Sequence, residues 1–169
     1  MPVVSDFGMS AFVRQTKAQD LTVVSDPLDF RRGVHLESGT AAGMADKVFH
    51  DRRTLAASAT EDLDLAGTLL DVYGSAITFA KIKGLFIGAA SANANNVVVG
   101  NATANAWSTL LGATGTITLR PGATVGVMAG ATDATAYAVT AGTADLLKVA
   151  NSAAGSAVTY DIVIIGTSA

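Results

Sequence analysis

The sequence predicts an all-β protein: a jelly-roll-like β-sandwich of about eight strands preceded by an extended N-terminal arm. Short β-rich runs recur between residues 62 and 166, separated by turn residues at a spacing of roughly ten residues, a rhythm typical of sandwiches, jelly rolls and barrels. The apolar half of the chain consists mostly of small residues, and aromatic residues make up 6%. Such a composition favours closely packed sheets over a deep ligand cavity.

The predicted strands are clearest in the C-terminal part of the chain. Residues 77–88 form a long β-rich run in which Lys81 and Lys83 interrupt an apolar face, and a bulge or bend near Gly84 explains the interruption. Residues 120–123 predict a type II turn, because their proline sets φ and their glycine supplies φ > 0. The other predicted strands cover residues 97–99, 116–119, 125–129, 137–140, 146–149 and 158–165.

Charge divides the chain into two unlike parts. Residues 1–60 carry many charges of both signs, whereas the stretch from 84 to 169 carries only Arg120, Asp133, Asp145, Lys148 and Asp161. We therefore predict an arm over residues 1–55, extended or partly helical, that makes contacts between subunits. A β-sandwich domain follows over residues 56–169. The arm has too few large apolar residues to form a core alone, so it is expected to fold against the sheets or a neighbouring subunit.

The weakly charged β region is expected to be covered by other protein. Exposed strand edges and faces with little charge favour association, and faces of small residues allow backbones to approach closely. The chain is therefore expected to bind itself as a dimer or trimer. Candidate partner-binding residues are Phe7, Phe12, Phe30, Arg31, Arg32 and Phe49 in the arm and Lys81 and Lys83 in the sandwich.

No group of residues predicts catalysis, a cofactor or a metal site, so we expect a non-enzymatic protein. The chain has no cysteine, and His35 and His50 lack companion ligands. The acidic cluster Glu61, Asp62 and Asp64 could bind calcium, but we favour a charged edge that discourages edge-to-edge pairing. The net charge of −3 without a basic block argues against general nucleic-acid binding.

Membrane insertion and secretion are also not expected. The longest apolar runs fall well short of the ~18 residues that a spanning helix needs. The N-terminus lacks the basic start and apolar stretch of a secretory signal. Synthesis in the cytoplasm is therefore the expectation.

Several segments resemble tailed-bacteriophage virion proteins. They are residues 51–65, residues 119–122, and the ending 145–151 with 158–166. Over roughly residues 48–169 the chain resembles capsid cement (decoration) proteins of jelly-roll type. The resemblance implies an oligomeric β-sandwich on the outer capsid surface of the virion, made in the host cytoplasm. It would clamp adjacent subunits of the major capsid protein and stabilise the head.

Three other functions remain open from the sequence. The chain could be another virion component, such as a head fibre, a tail part or a receptor-binding module. A carbohydrate-binding sandwich would need exposed aromatics, for which Trp107, Tyr73, Tyr137 and Tyr160 are the candidates. A cupin-type enzyme would need several histidine ligands, and two scattered histidines are too few.

Overall fold

The computed structural model describes residues 2–169, and every regular element in that range is a β-strand. The strands are β1 (Ser5–Ala18), β2 (Val23–Ser38), β3 (Met44–Ala45), β4 (Lys47–Leu55), β5 (Thr60–Asp64), β6 (Lys81–Ala89), β7 (Val97–Gly100), β8 (Thr116–Leu119), β9 (Thr124–Met128), β10 (Tyr137–Ala138), β11 (Leu146–Asn151) and β12 (Val158–Thr167). The prediction of an all-β protein is confirmed. Strands β5 to β12 also match the predicted number of about eight between residues 62 and 166.

Two sheets pack face to face and enclose the core. The first sheet has the order β4-β12-β6, with β9 and β10 both paired to the far edge of β6. The second has the order β5-β11-β7-β8. A third, three-stranded sheet of β1, β2 and β3 lies outside this sandwich. The sandwich is thus observed, while the jelly-roll connectivity stays a prediction.

The core follows from strict alternation along the central strands. In β12 the side chains of Val158, Tyr160, Ile162 and Ile164 are at most 1% exposed, and the residues between them point outward. They belong to one apolar cluster with residues of the facing sheet, including Leu63, Val97, Val99, Leu119, Leu147 and Val149. Burial of each such side chain contributes about 1.5–3 kcal/mol, so this interior accounts for most of the stability of the sandwich.

Both local backbone predictions are confirmed. The Arg120 carbonyl accepts a hydrogen bond from the Ala123 amide at 2.8 Å, and Gly122 has φ of 78°, as the predicted turn requires. The ladder between β12 and β6 shifts register where Ile165 pairs with Gly84 and the next residue pairs with Ile82. One extra residue in β6 thus forms the bulge expected near Gly84.

The first 55 residues are divided between the arm and the sandwich. Residues 5–18 form strand β1, so the alternative of a partly helical segment there is wrong. Strand β4 belongs to the sandwich, because it pairs along its whole length with β12. The segment that leaves the sandwich is the β1–β2 hairpin, residues 5–38, and the sandwich begins at Lys47, ahead of the predicted boundary at residue 56.

A buried polar contact joins the two main sheets. Tyr160 of β12 is fully buried, and its hydroxyl donates to Glu61 Oε1 of β5 at 2.7 Å. The other carboxylate oxygen of Glu61 accepts from Arg53 Nε of β4 at 2.8 Å. Burial, and then the hydrogen bond to Glu61, raise the pKa of Tyr160 far above its usual range, so this residue stays a neutral donor.

Candidate interaction arm

Of the predicted arm, only the β1–β2 hairpin, residues 5–38, leaves the sandwich, and this hairpin is the arm of the folded molecule. It is the most distinctive feature of the protein. Its ladder runs without a bulge from the pair Ser5–Leu36 to the pair Ala18–Val23. A two-residue turn at its tip is closed by a hydrogen bond from the Gln19 amide to the Thr22 carbonyl at 2.8 Å. At about 3.4 Å per residue, strands of this length give the arm a reach of roughly 45 Å.

The register gives the arm one apolar face and one polar face. Paired residues of an antiparallel ladder project on the same side, and successive residues project on opposite sides. One side therefore carries the apolar residues that we call the apolar face, together with the polar residues Gln15, Lys17, Asp26 and Arg32; the apolar face consists of Phe7, Met9, Ala11, Val13, Val24, Leu28, Phe30 and Val34. The opposite side carries Asp6, Gly8, Ser10, Arg14, Thr16, Asp29 and Arg31, with Phe12 and Val23 as its large apolar residues. This separation is the pattern of a strand pair that covers an apolar surface.

The base of the arm already covers such a surface on its own molecule. The aromatic ring of Phe7 lies so close to Gly84 of β6 that a Cβ there would be 3.2 Å from two ring carbons. The sulfur of Met9 lies 3.6 Å from the corresponding position on Gly126 of β9. Leu36 and Ile165 are buried together in a small apolar cluster beside these contacts. The two glycines thus form a shallow groove that receives the apolar face.

Beyond Met9 the same apolar face meets no part of its own molecule. All residues from Met9 to Gly33 are exposed, and Phe12, Leu28 and Phe30 are 73%, 54% and 47% exposed. A two-stranded hairpin is marginally stable in water on its own, and contiguous exposed apolar surface marks interaction sites. The distal arm therefore has the properties of a surface that another protein covers.

Five of the residues predicted to bind a partner lie on the arm. Phe30 and Arg32 lie on the apolar side, where the guanidinium carbon of Arg32 is 5.1 Å from the centroid of the Phe30 ring. Arg31 and Phe12 lie on the other side, and Arg31 makes two hydrogen bonds to Asp29 at 2.8 and 2.9 Å. Phe7 lies at the base. The structure thus brings these residues onto one element but distributes them over both of its faces.

The other three predicted partner-binding residues lie in the sandwich. Phe49 points inward from β4 and is 5% exposed, so it is a core residue. Lys83 is 1% exposed, because the bulge in β6 turns it away from the surface, and its ammonium donates to the Asp133 carbonyl at 2.7 Å. Burial lowers the pKa of Lys83. Lys81 remains partly exposed next to β10. Neither Phe49 nor Lys83 is accessible to a partner.

The acidic residues of β5 do not form a cluster. Glu61 points inward to Arg53 and Tyr160, whereas Asp62 faces outward opposite Lys148 of β11. Asp64 accepts the Ala66 amide at 3.0 Å. Throughout residues 2–169, no three histidine or carboxylate side chains come together in an arrangement that could hold a metal ion.

The aromatic residues considered for carbohydrate binding are also dispersed. Trp107 is 5% exposed, donates its indole N–H to the Ala138 carbonyl at 2.9 Å and meets Tyr137 edge to face. Tyr160 is buried in the core, and Tyr73 is exposed in the loop before β6. These four side chains do not form a common exposed platform.

A cavity of about 260 Å³ lies beside the base of the arm. Its lining includes Val3, Val48, His50, Tyr73 and Ile77. Small-molecule sites are typically about 300–1,000 Å³ and bury most of their ligand. This cavity therefore falls slightly below the usual volume of a small-molecule site.

Several residues of the arm that sequence reasoning missed share one signal. Met9 and Val13 continue the period of two that begins at Phe7, and Leu28 precedes Phe30 by two residues, a spacing that predicts a half-buried strand. The helical spacing of Phe7, Ala11 and Phe12 competed with that period, and Pro27 argued against a strand. The alternation of Phe7, Met9, Ala11 and Val13 was the signal that could have identified the apolar face.

No helix long and apolar enough to cross a membrane occurs in residues 2–169. Comparison of the chain with protein-family models, curated proteins and solved structures found no match.

Proposed function

We propose that this protein is a structural subunit of a tailed-phage head, a cement protein that binds the outer capsid surface and clamps adjacent subunits of the major capsid protein. The observation that carries the proposal is the arm, with its apolar face exposed beyond Met9. A rigid sandwich with a projecting strand pair can span from one subunit to the next. The resemblance of residues 48–169 to cement proteins supports the placement on a phage head.

The energetics of the arm support a role in assembly. Complete burial of a Val, Leu, Ile, Met or Phe side chain contributes about 1.5–3 kcal/mol. The exposed part of the apolar face offers Met9, Val13, Val24, Leu28 and Phe30 for such burial. Weak contacts of this kind, repeated around a closed shell, give high overall avidity. In this proposal the arm supplies binding energy for assembly. The weakly charged sandwich folds without that contribution.

The alternative assignment as another virion component rests on the same arm. A head fibre, tail part or receptor-binding module would also use a projecting strand pair to attach to its neighbours. The cement assignment is preferred because the sequence resemblance of the sandwich points to it. Microscopy of particles with the protein labelled distinguishes the positions, since a cement protein is distributed over the whole head.

A shortened arm tests the proposal. The shortened chain has residues 10–31 replaced by Asn-Gly, so that the hairpin closes after the pair Met9–Arg32. This pair is a hydrogen-bonded pair of the ladder, as is the natural closing pair Gln19–Thr22, so the new turn suits it. The contacts of Phe7 with Gly84 and of Leu36 with Ile165 are retained. We expect the variant to fold and to lose co-sedimentation with heads assembled from the major capsid protein of the same phage.

The control is the unaltered chain with the same heads. The proposal predicts saturable binding of the unaltered chain. Failure of the unaltered chain to bind heads contradicts the cement function, and equal binding by the shortened chain removes the arm from it.

A further inference from the structure

The two edges of the arm differ in their capacity to accept another strand. Hydrogen-bonded and non-hydrogen-bonded pairs alternate along an antiparallel ladder. The Gln19–Thr22 pair is hydrogen-bonded, so the pair Arg14–Pro27, five positions away, is not. In such a pair the backbone groups point outward, and Pro27 therefore leaves the outer edge of β2 without a donor at its centre. The base of that edge is occupied by β3.

The outer edge of β1 is uninterrupted. β1 is the terminal strand of its sheet, and the same phase directs the backbone groups of its even-numbered residues outward. These residues are Asp6, Gly8, Ser10, Phe12, Arg14, Thr16 and Ala18. Each carries an N–H donor and a C=O acceptor, so this edge provides a complete template for one more antiparallel strand.

β1 is complementary to itself in one antiparallel register. With Ser10 opposite Ser10 of a second copy, Asp6 lies opposite Arg14 twice, because the arrangement is two-fold symmetric. On the same side Gly8 lies opposite Phe12, a pairing in which the aromatic ring covers the exposed glycine backbone. On the apolar side Phe7 lies opposite Val13, and Met9 opposite Ala11. Opposite charges and apolar pairs thus coincide in a single register.

Neighbouring registers lose these pairs. Centring the pairing on Met9 places Asp6 opposite Phe12, and centring it on Ala11 places Asp6 opposite Thr16. A shift by an odd number of residues mixes the apolar and polar sides of the two arms. The register centred on Ser10 alone satisfies both the charges and the faces.

We propose that two copies of this chain associate through the outer edges of their β1 strands, antiparallel and centred on Ser10, and form one four-stranded sheet from two arms. This pairing rests on the proposed structural role of the arm. It identifies a second copy of the chain as one partner of the arm. The apolar sides of both arms then form one surface. Phe86, which is 39% exposed and pairs with Gly126 beneath Met9, lies beside that surface.

A single cysteine tests the edge and the register together. The chain has no cysteine, so Ser10→Cys introduces the only thiol. In the proposed ladder the two Ser10 residues form a hydrogen-bonded pair, whose Cα atoms are about 5.5 Å apart, within the range of a disulfide. We expect mild oxidation to convert most of the Ser10→Cys protein to a covalent dimer. Ser25→Cys, on the other edge of the arm, is the matched control and is expected to remain mostly monomeric on a denaturing gel.

Charge exchange tests the register independently. Arg14→Asp places like charges opposite each other at two symmetric positions, so the dissociation constant of the dimer is expected to rise roughly tenfold or more. Adding Asp6→Arg to this variant restores the opposite charges and returns the constant to near its original value. Lys17→Asp makes the same charge change outside the paired stretch and is expected to have little effect. Analytical ultracentrifugation measures all four proteins.

The crosslinking and head-binding results together distinguish failure of the strand pairing from failure of the cement function. Equal crosslinking of Ser10→Cys and Ser25→Cys, or no crosslinking of either, overturns the proposed pairing. If the unaltered chain still binds heads and the shortened arm does not, the cement function survives that result. If the arm pairs as proposed but neither chain binds heads, the pairing stands and the cement function fails.

Discussion

Gly84 determines how closely the base of the arm lies on the sandwich. A Cβ at this position would be 3.2 Å from two carbons of the Phe7 ring, closer than ordinary van der Waals contact. Gly84→Ala is therefore expected to displace the ring at a cost of about 1–3 kcal/mol, as overpacking usually does. The loss should appear as faster hydrogen exchange of β1 amides near Phe7.

Gly130→Ala is the matched control for this prediction, because nothing lies within 4 Å of its added Cβ. Unchanged exchange in Gly84→Ala would show that the arm does not depend on the groove.

His35 makes the base of the arm sensitive to pH. Its Nδ1 lies 2.8 Å from Asp6 Oδ1 and its Nε2 lies 3.1 Å from Glu37 Oε1, so both ring nitrogens face carboxylates. The hydrogen bond to Asp6, and then that to Glu37, raise the pKa of His35 above its ordinary value of 6.5. Because the pKa of His35 is raised in the folded state, its contacts stabilise the folded arm below pH 6.5. This stabilisation is lost as the pH rises through the folded pKa.

We therefore expect proteolysis within the arm to be slower at acidic than at alkaline pH, after correction for the activity of the protease. Asp6→Asn should lower the pKa of His35 in an NMR titration and reduce the pH dependence. His50→Gln retains the His35 contacts and is the control. A His35 titration that does not respond to Asp6→Asn contradicts this assignment.

At the scale of the strands, the contact between Tyr160 and Glu61 holds β5 against the opposite sheet. Tyr160→Phe removes the donor and leaves Glu61 Oε1 partly buried without its partner. We expect the free energy of unfolding to fall by about 1–3 kcal/mol, the usual cost of an unsatisfied buried polar group. Chemical denaturation measures the change, with the exposed Tyr73→Phe as control. Equal stability of the two variants would show that the sheets are held by apolar packing alone.

Local chemistry made the sandwich strands predictable and the arm difficult to predict. The alternation in β12, the turn at residues 120–123 and the bulge near Gly84 each have a direct backbone cause within a few residues. In β1 the alternation is interleaved with glycine and serine, and no local residue specifies that β1 pairs with β2 along its entire length. Pairing over a long hairpin depends on contacts between residues that are far apart in sequence.

The positions of Phe49 and Lys83 also depend on tertiary context. Phe49 lies in a strand rich in charged residues, and only the pairing of β4 with β12 shows that it faces the core. The sequence predicts an exposed Lys83. The bulge in β6 and the hydrogen bond to the Asp133 carbonyl, which place it in the interior, depend on residues distant in sequence. Sequence patterns identified the aromatic residues of the arm, but not which of its faces each occupies.

At the scale of the whole molecule, the sandwich and the arm have separate physical roles. The sandwich encloses a continuous apolar core between two sheets, whereas the distal arm encloses nothing. We therefore expect the chain with residues 10–31 replaced by Asn-Gly to melt within a few degrees of the unaltered protein. Circular dichroism during heating measures this, and a large loss of stability would show that the arm is part of the folding unit.

The central claim is that the exposed distal arm exists to associate with other protein. Sedimentation equilibrium of the intact chain and of the shortened chain tests it most directly. The intact chain is predicted to sediment as an oligomer of its 17.0 kDa mass, and the shortened chain as a monomer. An intact chain that stays monomeric and does not bind phage heads would contradict the claim.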